Sequence, residues 1–168
     1  LTKDDGKTKG KAMGFQSDWF FNSDESEKPG KGAHDRMISQ SCVAAWGDCR
    51  GKGADELLVL PSAGDGVFLY RVGFGMVVMA IFDDHEPLPS RSVFNEQGEY
   101  HRTVGSLLIL PQANILSSLH ILQETGYHVP ARQILCRIHD AGAAAFMKGY
   151  FRRHGIDAAR YSAIARAR

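Results

Sequence analysis

Residues 67–72, Val-Phe-Leu-Tyr-Arg-Val, and residues 76–82, Met-Val-Val-Met-Ala-Ile-Phe, are two strand-forming runs separated only by Gly73, Phe74 and Gly75. β-Branched and aromatic side chains suit a pleated, half-buried surface. A three-residue link cannot carry the long crossover that parallel strands need, so the two runs must pair antiparallel. Two glycines in the link supply the positive φ that short hairpin loops use. The turn residues at 62–66, Ser-Ala-Gly-Asp-Gly, mark where the first run begins. This hairpin excludes a regular doubly wound βαβ plan in the middle of the chain.

The rest of the sequence arranges itself around that pair. Residues 15–22 are aromatic-rich and suit a first strand, and 23–32 read as a loop. Residues 36–45 read as a short helix running into a buried strand. Residues 54–60 read as another short helix, with Asp55 and Glu56 near the favourable end of its dipole. The stretch 83–99 is polar, carries Pro87 and Pro89, and is expected to be a loop. Residues 102–110 read as a strand. Ile115, Leu116, Leu119 and Leu122 recur at helical spacing within 113–125, with Gly126 placed to end the helix. A last strand is expected over 133–138. Asp140 is placed to cap a helix over 141–153, and 157–166 to form a final short helix. Helices inserted irregularly among closely spaced strands predict an α+β class: a curved mixed sheet of about five or six strands, or a pseudo-barrel, with peripheral helices.

The 168 residues suffice for a single domain, expected over 15–168. Residues 1–14, with Lys3, Lys7, Lys9 and Lys11, read as a disordered basic tail. No apolar run approaches the roughly 20 residues of a membrane span, so no membrane partner is expected. The polar start lacks the apolar stretch of a secretory leader. Cys42, Cys49 and Cys136 match no zinc-ligand spacing and suit free thiols in a reducing compartment, which makes the cytoplasm the expected location. The formal net charge is +1, so any nucleic-acid contact must come from a local basic patch.

The chain lacks a P-loop, a dinucleotide fingerprint, a nucleophile elbow, a zinc-protease helix and a deaminase signature. It reads as a binding module rather than an enzyme, with no cofactor. Asp83, Asp84, His85 and Glu86 could gather a divalent cation, but neighbours in an extended segment point in different directions, and no metal site is expected there. The histidines, His34 in Gly-Ala-His-Asp-Arg among them, are scattered and form no recognisable catalytic set. The aromatic residues are more informative. Trp46 stands where a buried strand opens into Gly-Asp-Cys-Arg-Gly-Lys-Gly, a place suited to wall a pocket. Trp19, Tyr70 and Phe74 also fall at or near expected strand ends.

Trp19-Phe20-Phe21-Asn22-Ser23 resembles the opening strand of EVE domains. Trp46 resembles the tryptophan after that family's second block. Residues 64–70, Gly-Asp-Gly-Val-Phe-Leu-Tyr, and 75–80, Gly-Met-Val-Val-Met-Ala, resemble its hairpin; Arg71 stands where a small polar residue often follows. EVE domains belong to the PUA-like superfamily, with YTH, ASCH and SRA-related modules, some at the ends of modification-dependent restriction enzymes. The resemblance implies a pseudo-barrel that takes a flipped, often modified, base of DNA or RNA. In such a reading Trp46 stacks on the base, Trp19 or Tyr70 forms a second wall, and Asn22, Ser23 and Asp48 bond the base edge. Arg50, Lys52 and Arg71 meet phosphates, which position rather than specify. Two rivals stand beside it: a metal-dependent nuclease or hydrolase using residues 83–86, and a protein-interaction or regulatory domain using the arginine-rich C-terminal helices.

Overall fold

A computed structural model describes residues 16–23 and 31–167. The expected tail over 1–14 and most of the loop over 23–32 lie outside the described residues. In chain order the elements are β1 (Asp18–Asn22), α1 (Ala33–Gln40), β2 (Cys42–Ala45), α2 (Ala54–Leu58), β3 (Gly66–Arg71), β4 (Gly75–Phe82), β5 (Leu88–Pro89) and β6 (Tyr100–Ile109). A 3-10 turn (Gln112–Asn114), α3 (Ser118–Thr125), β7 (Leu135–Ile138), α4 (Ala141–His154), β8 (Ile156–Asp157) and α5 (Ala158–Arg166) follow. The sheet runs β2-β6-β4-β3-β1-β7, with the two-residue β5 and β8 attached to β6. β1 and β3 are parallel; the other described pairs are antiparallel.

β3 and β4 form the expected hairpin. Its last turn is welded to the rest of the molecule. Gly75 has φ +131°, and a Cβ there would stand 2.5 Å from the Leu116 carbonyl oxygen. Met76 N donates to that same carbonyl at 2.8 Å, and Leu116 N returns the bond to Met76 O. This bridge explains why the helix expected over 113–125 starts only at Ser118. Ile115 and Leu116 are drawn into extended backbone against the hairpin, and Ser117 then caps α3 by accepting from His120 N.

β6 decides the curvature. Residues 100–103 pair with β2 and residues 104–109 with β4. The register slips between Met79 and Ile81, opposite a Ser106 held at φ +53°. A bulge of this kind bends and twists a strand, and the sheet curls into the expected half-barrel, with helices outside.

Alternation along β1 and β3 gives the sheet two buried faces. Phe21, Val67 and Leu69 pack inward with Met37 of α1 and Leu58 of α2. Phe20 and Phe68 pack under α4, where the Phe68 and Phe151 rings lie 5.7 Å apart. α4 begins at Asp140, whose carboxylate accepts from Ala143 N as the sequence suggested, and Asp157, read from sequence as the first residue of the last helix, instead caps α5 by accepting from Arg160 N.

Candidate functional site

β2 is buried along its whole length, and Trp46 is the first residue beyond it. Trp46 is 38% exposed, and its ring leans on Phe94, centroid to centroid 6.5 Å at 48°. That is an ordinary separation for a tilted aromatic pair. The chain then coils tightly. Gly47, Arg50 and Gly51 all have positive φ. Asp48 Oδ1 accepts from Gly51 N at 2.7 Å, and Cys49 N donates to Lys52 O at 2.7 Å. The carboxylate of Asp48 thus braces the loop it belongs to, while Lys52 stays exposed.

A second segment seats this loop against the end of β1. Arg50 Nη2 donates to the Arg132 carbonyl at 2.8 Å, and Asn22 Nδ2 donates to the adjacent Ala131 carbonyl at 2.7 Å. Asn22 N also bonds Ile134 O. Because Ala131 O can only accept, the Asn22 amide is oriented with its Oδ1 left over. That oxygen has no partner among the described residues and almost no solvent contact. Ser23, next along the chain, is fully buried. Its Oγ lies 2.6 Å from His34 Nδ1 and 3.2 Å from Tyr70 O.

The 131–134 segment therefore ties Arg50, on the loop that Trp46 opens and Asp48 braces, to Asn22 at the end of β1, while Ser23 turns away to His34 and the Tyr70 carbonyl. The structure places three other sequence candidates elsewhere. Trp19 Nε1 donates to Asp65 Oδ2 at 3.0 Å, and its ring packs on the inner core. Tyr70 packs against Phe20 at 5.6 Å on the α4 side of the sheet. Among the described residues neither ring contacts Trp46. The Arg71 guanidinium lies 4.5 Å above the Phe74 ring and lines a cleft of about 350 Å³ between the hairpin tip and α5. Phe94, the ring that does face Trp46, lies within a stretch read from sequence as a polar loop. An aromatic residue between Val93 and Asn95 was the available signal.

The acidic stretch corrects one expectation. Asp83, Asp84 and His85 do not diverge: their ligand atoms lie within 4.8 Å of one another. Asp83 Oδ1 accepts from His85 N at 3.0 Å and turns the chain back, so that His85 Nδ1 comes 2.9 Å from Asp83 Oδ2. Desolvation opposes ionisation of Asp83, yet the hydrogen bonds from His85 prevail and hold its carboxyl below the usual range. Those bonds raise the His85 imidazole in turn.

No family model and no curated protein matches the chain. Solved structures do. A hypothetical protein from Leishmania major aligns at TM-score 0.50 and 12% identity, covering 82% of this chain and 96% of that one. Human THYN1, in complex with DNA containing 5-methylcytosine, aligns at TM-score 0.48 and 12% identity, covering 80% and 98%. An ASCH protein from Zymomonas mobilis aligns at TM-score 0.46 and 9% identity, covering 78% and 94%. Likeness at such identity speaks of fold alone. The curled mixed sheet with helices around it is the α+β class that the sequence predicts.

Proposed function

We propose that the chain is a nucleic-acid-binding module that holds one extruded base of DNA or RNA against Trp46. The observation that carries this reading is the half-exposed indole at the end of a fully buried strand, backed by Phe94 and set in a loop tied to Asn22 and Arg50 through one backbone segment. A ring supported from behind and open in front is what base stacking requires, and such stacking contributes about 1–3 kcal/mol per base. The unpartnered Asn22 Oδ1 is suited to accept from an exocyclic amine once a base displaces the neighbouring backbone slightly. Arg50 and Lys52, on the same loop, are placed to meet phosphates. Ser23 and Asp48 act by holding the walls, since their side chains are spent on His34 and on the loop backbone. Trp19, Tyr70 and Arg71 take no part in this arrangement.

The test is binding, by fluorescence anisotropy, to a panel of single-stranded and duplex oligonucleotides that carry unmodified cytosine, 5-methylcytosine or N6-methyladenine. Trp46→Ala is expected to weaken the tightest complex by about tenfold to a hundredfold, with a smaller effect on thermal stability. A Trp46→Ala protein that binds the panel like wild type, or a wild type that binds none of it, sinks the proposal.

A further inference from the structure

Glu99 is the one carboxylate of the described residues sealed inside the molecule with only backbone amides for company. It is 2% exposed and lies just before β6. Its Oε1 accepts from Phe94 N at 2.6 Å and its Oε2 from Val93 N at 3.2 Å. Its own backbone closes the same loop, since Ser90 N donates to Glu99 O at 3.0 Å and Glu99 N to Glu96 O at 3.3 Å. Among the described residues no cation pairs with it. Its charge reaches the neighbouring Cys42, where burial first, and Glu99 second, push the thiol up to about 12. Burying a carboxylate without a counter-ion is costly, and two charge-assisted bonds to adjacent amides are the compensation.

What those two amides carry is the support of the proposed site. Phe94, itself 8% exposed, is the ring behind Trp46. On the same loop, Gly98 has φ +77°, and a Cβ there would come within 3.9 Å of Gly47 N, the residue after Trp46. The loop that Glu99 closes thus abuts Trp46 at its ring and at its backbone. We infer that Glu99 is a positioning residue: its carboxylate clamps the 93–99 loop so that Phe94 holds the Trp46 indole in one orientation for the incoming base. This rests on the nucleic-acid reading for its purpose, but the clamp itself is a separate, measurable claim.

A glutamine at this position has the same shape but turns one of the two acceptors into a donor facing an amide N–H, so one bond is lost and a repulsion replaces it. The experiment uses the full chain labelled with 5-fluorotryptophan, which gives one fluorine resonance for Trp19 and one for Trp46. Glu99→Gln, and Phe94→Leu as a second variant that leaves the carboxylate in place, are expected to shift or broaden the Trp46 resonance and leave that of Trp19 where it is. Affinity is then measured for the oligonucleotide of the panel that wild type binds most tightly. Glu99→Gln is expected to weaken binding by about tenfold in the wild-type background and to have no further effect in Trp46→Ala, the non-additivity of residues that act as a unit. The inference is overturned if both resonances move together, if neither moves, or if Glu99→Gln weakens binding equally with and without the indole. Should wild type bind no oligonucleotide, the nucleic-acid reading falls, while the fluorine spectra still decide whether Glu99 orients Trp46.

Discussion

Trp19 Nε1 and Asp65 Oδ2 are joined by a 3.0 Å hydrogen bond that ties the first strand to the turn preceding the β3–β4 hairpin. Asp65 is 7% exposed, and the same carboxylate also accepts from Ser17 N at 3.1 Å and Ser62 N at 2.9 Å. The glycine-aspartate pair that resembles a family motif therefore has a structural task here: three donors converge on one side chain.

Asp65→Ala leaves those three donors without their acceptor and is expected to cost about 2–4 kcal/mol, since each buried group left unsatisfied loses its desolvation energy. Trp19→Phe removes one of the three and is expected to cost less. Urea unfolding followed by circular dichroism measures both. Neither should weaken oligonucleotide binding under conditions where the variant is folded; a loss at Trp19→Phe as large as that at Trp46→Ala would restore Trp19 as a wall of the site.

Arg102 is a buried cation held by carbonyls. It is 5% exposed, bonds the Leu58, Pro61 and Asp83 carbonyls, and sits 4.7 Å above the Phe82 ring. Burial pulls its guanidinium below the ordinary range, with Glu86, Asp83 and Asp65 opposing that shift. Arg102→Met keeps much of the apolar stem but frees three carbonyls, and about 3 kcal/mol of destabilisation is expected. The measurement is the urea midpoint at constant slope; a change below about 0.5 kcal/mol would show that solvent satisfies the α2 end of the sheet.

Cys42 gives the chain an alkaline weakness. Its thiol is raised from 9.0 to about 12, chiefly by burial. The folded state therefore keeps a proton that the unfolded state gives up, and the stability this thiol contributes, present in full below pH 9, is lost as pH rises toward 12. Tyr127, raised from 10.0 to about 12 by burial, adds to the loss in the upper part of that window. Thermal unfolding between pH 8 and 11 should show a falling midpoint, with a shallower slope in Cys42→Ala. Equal slopes in the two proteins would remove Cys42 from the account.

The Asp83–Asp84–His85 turn should bind divalent cations weakly at most. Asp84 and His85 are exposed and Asp83 half-buried, and His85 is already engaged with Asp83 and raised in its proton affinity, so a metal must displace a proton to use it. Calorimetric titration with magnesium, manganese and zinc is expected to show no binding tighter than millimolar. Micromolar binding abolished by Asp84→Ala would revive the nuclease reading.

Features decided by near neighbours were legible in the sequence. The 73–75 link dictates an antiparallel hairpin because no longer path is available to it. Asp140 caps α4 because a carboxylate reaches an amide three residues on. Trp46 reads as half-exposed because a buried strand gives way there to glycine and charge. Features made by distant partners were not legible. A period of two says which residues share a face of a strand, but not which strand lies alongside, so the parallel pairing of β1 with β3 was invisible. The same gap misplaced Trp19 and Tyr70. Both stand near strand ends in sequence, yet Asp65, 46 residues from Trp19, and Phe20, on the strand beside Tyr70, claim them. Phe94 and Glu99 came to light only when the pairing of β2 with β6, Ala45 opposite Tyr100, brought the 93–99 loop to Trp46. Chain closure sets that contact, and no local pattern of residues encodes it.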